Sequence, residues 1–201
     1  MKIAIVDYGM GNLYSVDKAF ARLGAAAAVT SDALTIRQAD KIVLPGVGAF
    51  GDCMRNLEEY GLAEVIREVV SAGKPFLGIC LGMQLLFEGS EEDPGVPGLG
   101  ILSGMVRRID APGMKVPQIG WNNLALAGNS PLFAGLPDPA YVYFVHSYHA
   151  VPADPRVVTA TAEYGGRVTA AVGRDNVQAV QFHPEKSGMV GLKILENFKE
   201  I

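Results

Sequence analysis

The chain has 201 residues, 49% of them hydrophobic and 19% charged, with a formal net charge of −4 at pH 7. That length suits one well-packed α/β domain and is short for two, and the composition is that of a compact globular protein. A mildly acidic balance without a Lys/Arg cluster argues against a nucleic-acid surface, and no apolar run reaches the roughly 18–20 residues that span a bilayer, so neither nucleic acid nor membrane is an expected partner.

Two cysteines, Cys53 and Cys80, offer no disulfide framework, and no Cys/His cluster has zinc spacing. The chain opens Met1-Lys2-Ile3-Ala4-Ile5-Val6-Asp7 and meets an acid at once, which reads as a first strand and not as an export signal. A cytoplasmic protein with reduced thiols is the expectation.

The first half alternates strand and helix. Residues 2–7 form strand 1. Asn12 is expected to cap a helix whose Leu13, Val16, Phe20 and Leu23 share one face, with Gly24 as its stop. Residues 25–30 follow as a tightly packed second strand and residues 41–44 as a third. A short helix near 52–59 and a second with Leu62, Val65, Ile66 and Val69 on one stripe lead through Gly73 to a strand over 75–79. Such alternation implies a mostly parallel sheet with helices on both faces, and ligands then bind beyond the carboxyl ends of the strands. The second half is β-rich, at 100–109, 115–126, 140–146, 157–163, 168–172 and 177–182, and is expected to extend the sheet with antiparallel strands. A last helix, capped by Ser187, buries Gly191, Ile194, Leu195 and Phe198. The fold class is α/β, a single three-layer domain over 1–201 with no linker.

The stretch that organises the chain is Lys74-Pro-Phe-Leu-Gly-Ile-Cys-Leu-Gly-Met-Gln-Leu-Leu-Phe87. A short apolar strand turns into an apolar helix near Leu81, with Cys80 at the join between Gly78 and Gly82. This G-x-C-x-G pattern is the thiol counterpart of the G-x-S-x-G nucleophile elbow. Its glycines let strand and helix close around a residue in strained dihedrals, and a helix N-terminus favours a thiolate. A cysteine in an apolar run is ordinarily a small buried hydrophobe. The paired glycines and the strand-to-helix switch favour a nucleophile instead.

A cysteine used for acyl transfer needs a base, a group that orients the base, and donors for the oxyanion. Of the three histidines, His146, His149 and His183, the last follows a strand directly and precedes Pro184 and Glu185. A carboxylate two residues on can hold one tautomer and stabilise the imidazolium. Pro45-Gly46-Val47-Gly48 follows strand 3 on the same edge of the sheet, so the N–H of Val47 could face an oxyanion beside that of Leu81, or the segment could be an ordinary tight turn. Gln84, one helical turn after Cys80, could bind a substrate or complete a buried network. Cys53 lacks flanking glycines and reads as structural.

Gly78-Ile-Cys-Leu-Gly-Met-Gln84 together with His183-Pro-Glu185 resembles the triad (class I) glutamine amidotransferases over essentially the whole chain. Within them, Asp7-Tyr-Gly-Met-Gly-Asn12, Pro45-Gly-Val-Gly-Ala-Phe50, Pro117-Gln-Ile-Gly-Trp-Asn122, Phe144-Val-His-Ser-Tyr148 and His183-Pro-Glu-Lys-Ser-Gly188 resemble the glutaminase subunits of imidazole glycerol phosphate synthase, a histidine-biosynthesis enzyme. The resemblance implies that Cys80 attacks the amide carbon of L-glutamine, that His183 protonates the departing ammonia, and that Glu185 orients His183. It implies further that Gly48, Gln84, Glu92, Ser147 and Tyr148 hold glutamine, Glu92 through its ammonium group. Ammonia then passes to a separate cyclase subunit, a (β/α)8 barrel, in a heterodimer, and no cofactor or metal is implied.

Nothing in the chain looks able to bind a bulky phosphorylated acceptor, which supports the need for a partner on independent grounds. Trp121 and Asn122 are candidate docking residues, a buried core Trp being the competing reading, and Lys186 matches a family position at the interface. The Gly46–Gly48 segment is expected to act as a switch, its Val47 N–H turned away until the partner docks. Other triad amidotransferase subunits (for anthranilate or pyridoxal phosphate), a peptidase or γ-glutamyl hydrolase, and a non-catalytic partner-binding protein are the alternatives.

Overall fold

A computed structural model describes residues 1–201. Strands β1 (Ile3–Val6), β2 (Ala27–Thr30), β3 (Lys41–Gly46) and β4 (Phe76–Cys80) alternate with helices α1 (Leu13–Arg22), α2 (Ala33–Gln38), α3 (Phe50–Glu59) and α4 (Leu62–Ser71). A single turn, α5 (Leu81–Gln84), follows β4. Then come β5 (Gly89–Ser90), β6 (Gly104–Arg108), β7 (Gln118–Asn123), β8 (Ala125–Leu126), β9 (Tyr141–His146), β10 (Tyr148–Pro152), β11 (Val158–Glu163), β12 (Arg167–Arg174), β13 (Val177–Val180) and α6 (Gly188–Glu200).

The main sheet has the order β2-β1-β3-β4-β13-β12-β11-β8. Its first five strands are mutually parallel and its last three antiparallel, as the change of character along the sequence implies. The inner strands are apolar on both faces because both are covered. Ala4 and Val6, Ile42 and Leu44, and Phe76 point to the side of α2, α3 and α4, whereas Ile3 and Ile5, Val43, and Leu77 and Ile79 point to the side of α1 and α6. The two cores hold 30 and 28 buried residues, so the sheet is covered evenly and three layers result. Each large side chain fully buried there, Phe20 or Phe76 for example, contributes roughly 1.5–3 kcal/mol.

Several local expectations change. Helix α2 is capped by Asp32, whose carboxylate accepts from the Thr35 N–H at 2.7 Å, a signal that its short apolar stripe concealed. Strand β2 forms the edge of the sheet and is partly exposed, with Val29 at 43%, so the alanine run is not tightly packed. Asn12 precedes α1 with φ −88° and ψ 62° and makes no side-chain cap, because that backbone does not aim its amide at the first turn. The antiparallel part does not all join the main sheet. β10, β6 and β5 make a small sheet of their own, and β7 with β9 makes a two-stranded ribbon.

The helix after Cys80 is one turn and does not run on to Phe87. The carbonyls of Leu85, Leu86 and Phe87 are drawn away to the N–H groups of Leu99, Leu102 and Gly100, at 2.8, 2.9 and 3.2 Å. The N–H groups of Leu86 and Phe87 bond to the carbonyls three residues back, Met83 and Gln84, at 3.2 and 3.1 Å, so the i→i−4 ladder ends with the Leu85 N–H.

Candidate active site

Cys80 is the last residue of β4, at φ 56° and ψ −112°, a conformation that costs a residue with a Cβ about 1–3 kcal/mol. The elbow closes because its glycines leave room. A Cβ on Gly82 would lie 1.9 Å from the Leu44 carbonyl oxygen, and one on Gly78 would lie 2.8 Å from the Gly82 carbonyl oxygen. With α5 a single turn, the helix dipole is a small influence on the thiol and nearby side chains matter more.

His183 lies just past β13, the strand next to β4 in the sheet, so the topology brings residues 80 and 183 to one edge. Its N–H donates to the Tyr143 carbonyl at 2.9 Å. Ser187 does not cap α6 as expected. Its hydroxyl donates to the His183 carbonyl at 2.6 Å and accepts from the Tyr143 N–H at 2.9 Å, which straps the 183–187 turn to β9. The His183 Nδ1 meets Glu185 Oε1 at 2.8 Å, with both side chains nearly inaccessible, at 3% and 1%. That leaves Nε2 for Cys80.

Burial alone would lower the His183 pKa. Hydrogen bonding and charge from Cys80 and Glu185 outweigh it and raise the value to about 9. The other oxygen of Glu185 is buried with no hydrogen-bond partner, so its carboxylate depends on the imidazolium for compensation.

The other two histidines are unsuited to the same part. His146 is buried, its pKa pushed down to about 4 by desolvation, and both ring nitrogens are occupied, by the Tyr148 carbonyl at 2.8 Å and Gln118 Oε1 at 2.9 Å. A neutral imidazole bonded to that carbonyl carries its proton on Nδ1, so the Gln118 amide must present its NH2 to Nε2. His149 is also shifted down by burial, and its Nδ1 accepts from the Thr169 N–H.

A cavity of about 310 Å³ opens beside Cys80 and His183. Its lining includes nine of the residues singled out from the sequence: Val47, Gly48, Cys80, Leu81, Gln84, Glu92, Ser147, Tyr148 and His183. Glu185 sits behind His183, outside the lining. Trp121, Asn122 and Lys186 also lie outside it. Pro117, Val145 and His146 are additional wall residues that sequence reasoning had not assigned to the site.

Some of these side chains are already engaged. Gln84 donates its amide to the Tyr148 carbonyl at 3.0 Å and to Gln181 Oε1 at 2.9 Å, so the buried-network reading holds for its nitrogen. Gln181, fully buried, places its own amide nitrogen 3.8 Å from Cys80 Sγ. It was missed, although a polar residue in the apolar run before His183 is a usable signal. Glu92 accepts the Phe50 N–H at 2.9 Å and Asp93 the Gly51 N–H at 2.7 Å, so two carboxylates cap α3. Desolvation raises the Glu92 pKa, and the Phe50 bond opposes that.

The Val47 N–H has no hydrogen-bond partner in the protein, and Val47 is 39% exposed at the cavity mouth. Trp121 is 56% exposed and not a core residue, while Asn122 is tied to the Glu163 carbonyl at 2.9 Å. No group of three or more His, Cys, Asp or Glu side chains is placed to hold a metal ion.

The glutamine amidotransferase class-I family matches residues 4–201. The imidazole glycerol phosphate synthase subunit HisH of Syntrophotalea carbinolica is 54% identical over 207 residues, covering 99% of this chain and 100% of its own. The subunit of the same name from Geobacter sulfurreducens is 52% identical over 206 residues, covering 100% and 99%. A crystal structure of a glutamine amidotransferase superposes with a TM-score of 0.77 at 24% identity, covering 98% of this chain and 97% of that one, a likeness of fold. The chain belongs to the class-I glutamine amidotransferases, and within them to the HisH subunits of imidazole glycerol phosphate synthase.

Proposed function

We propose that residues 1–201 form one glutaminase domain that hydrolyses L-glutamine to L-glutamate and ammonia through a Cys80 thioester. The ammonia goes to a separate cyclase subunit, which makes imidazole glycerol phosphate and aminoimidazole carboxamide ribotide in histidine biosynthesis. The observation that carries this reading is the strained Cys80 beside a buried His183 whose pKa is raised to about 9 and whose Nδ1 is held by Glu185.

The chemistry follows from that arrangement. The Cys80 sulfur adds to the side-chain amide carbon, and the carbonyl electron pair moves to oxygen, facing the free Val47 N–H with the Leu81 N–H beside it. His183 gives its proton to the amide nitrogen as the C–N bond breaks, releasing ammonia and leaving the thioester. Water adds to the thioester with its proton taken by His183. Collapse then frees glutamate and restores the thiolate. Glu92 receives the substrate ammonium with the lone pairs that the Phe50 N–H does not use, and Gly48, Gln84, Ser147 and Tyr148 line the rest of the glutamine site. A cavity of about 310 Å³ is at the small end of the roughly 300–1,000 Å³ range of ligand sites, which fits a single amino acid better than a peptide.

The cyclase, a (β/α)8 barrel in a heterodimer, docks on the face that carries Ile119, Trp121, Tyr141 and Met189, exposed at 63, 56, 50 and 73%, with Lys186 beside it. A cytoplasmic location suits the two free thiols, and no helix is long and apolar enough to cross a membrane. The test is ammonia release from free glutamine by the chain mixed with the cyclase, and separately with the anthranilate and pyridoxal phosphate synthase partners. Stimulation by the cyclase alone is expected. Stimulation by another partner, or turnover of γ-glutamyl peptides in place of glutamine, would assign the chain elsewhere.

A further inference from the structure

Behind the oxyanion segment lies a buried pair that the reaction as described does not use. Tyr8, fully buried at the end of β1, donates its hydroxyl to the Pro45 carbonyl at 2.9 Å and lies 3.6 Å from the Cys53 sulfur. Cys53, fully buried on α3, directs its sulfur to the Val47 carbonyl at 3.4 Å. The carbonyls held in this way belong to the peptides on either side of the Gly46–Val47 peptide, the one that carries the free Val47 N–H.

The space around that peptide is shaped by the same groups. A Cβ on Gly46 would lie 2.7 Å from the Tyr8 hydroxyl and 2.9 Å from the Gly82 nitrogen, so the end of β3 is clasped between Tyr8 and the elbow. Burial raises the Cys53 thiol to about 11, with the Tyr8 hydrogen bond opposing, so Cys53 stays a protonated donor at neutral pH. Helix α3, which carries Cys53, is fixed at its N-terminus by Glu92 and Asp93.

We infer that Tyr8 and Cys53 are positioning residues for the oxyanion site: they fix the peptides at 45–46 and 47–48 so that only the Gly46–Val47 peptide can turn. This inference rests on the glutaminase reading. A donor held at two flanking points reaches the developing oxyanion in the transition state without tightening the ground state. Loss of either anchor therefore lowers kcat and leaves KM largely unchanged.

The experiment uses the complex with the cyclase and compares wild type, Tyr8→Phe, Cys53→Ala and Cys53→Ser for glutamine hydrolysis, with Cys80 alkylation by iodoacetamide measured in parallel. Tyr8→Phe and Cys53→Ala should each lower kcat about tenfold with KM within about twofold, a fraction of the 10²–10³ seen when an oxyanion donor is lost. Cys53→Ser, which keeps a donor, should recover most of the rate. Alkylation of Cys80 should be unchanged throughout, because it requires the thiol and imidazole but not the oxyanion site. Unchanged kcat in both deletions, or a parallel loss of alkylation, would overturn the inference while leaving the glutaminase intact. A wild-type complex that releases no ammonia from glutamine would overturn the functional reading and this inference with it.

Discussion

Strand β4 is buried at all five positions, whereas the ribbon β7–β9 leaves every second residue of β9 open and exposes Ile119 and Trp121 of β7. The two regions answer different needs. β4 lies between parallel neighbours β3 and β13 in the most enclosed part of the sheet, and that enclosure holds Cys80 in an unfavourable conformation. The ribbon stands apart from the main sheet and presents a surface a second protein can cover. They are joined at the cavity, whose wall takes Val145 and His146 from β9, and through the turn that carries His183. Tyr143 of β9 stacks edge-on against Trp121 at 6.1 Å, and its backbone N–H and C=O hold Ser187 and His183. The ribbon backbone is therefore bonded directly to His183 and Ser187.

Single substitutions can disable either region without the other. The largest effect is expected from Glu185→Gln, which keeps the volume but removes the charge that orients and stabilises His183. Steady-state glutaminase assays of the complex should show kcat lower by roughly 10²–10⁴-fold. Gly82→Ala, with its Cβ directed at the Leu44 carbonyl, should force the elbow apart. A loss of about 3 kcal/mol in denaturant unfolding is expected, together with loss of turnover. Trp121→Ala on the ribbon should leave the fold of the isolated chain nearly unchanged and weaken cyclase binding by roughly 10–100-fold, measured by titration calorimetry.

The smallest effect concerns pH. The folded His183 pKa, about 9, lies above the ordinary value near 6.5, so its contribution to stability is complete below pH 6.5 and lost as pH rises through 9. Wild type should lose roughly 2 kcal/mol more than His183→Gln between those limits, read from urea midpoints. Equal losses would show that the imidazolium is not held by its neighbours.

The elbow at Cys80 and the His183–Glu185 pair were legible in the sequence because each is local. G-x-C-x-G marks the elbow, and His-x-Glu after an apolar strand marks the candidate base. The parallel core was legible as strand–helix alternation. What escaped was set by tertiary contacts. Ser187 looks like a helix cap but serves His183, four residues back, and Tyr143, 44 residues back. Gln181 and Tyr8 touch the site only because β13 and β1 lie near β4 in the sheet order. The strand β10 follows β9 after one residue, so the apolar pattern does not reveal that the chain leaves the ribbon for another sheet. Cys53 was read as structural, and it is buried, but its direction toward the Val47 carbonyl depends on α3 packing under β3.

On the proposed reading, the Cys80 sulfur frees the amide nitrogen of glutamine for a second protein. Glutamine labelled at that nitrogen, supplied to the complex with the cyclase and its nucleotide acceptor, tests it directly by mass spectrometry of imidazole glycerol phosphate. Wild type should transfer the label; Cys80→Ser should transfer none, yet should still make product when ammonium is added. Label arriving at the wild-type rate in Cys80→Ser would contradict the claim.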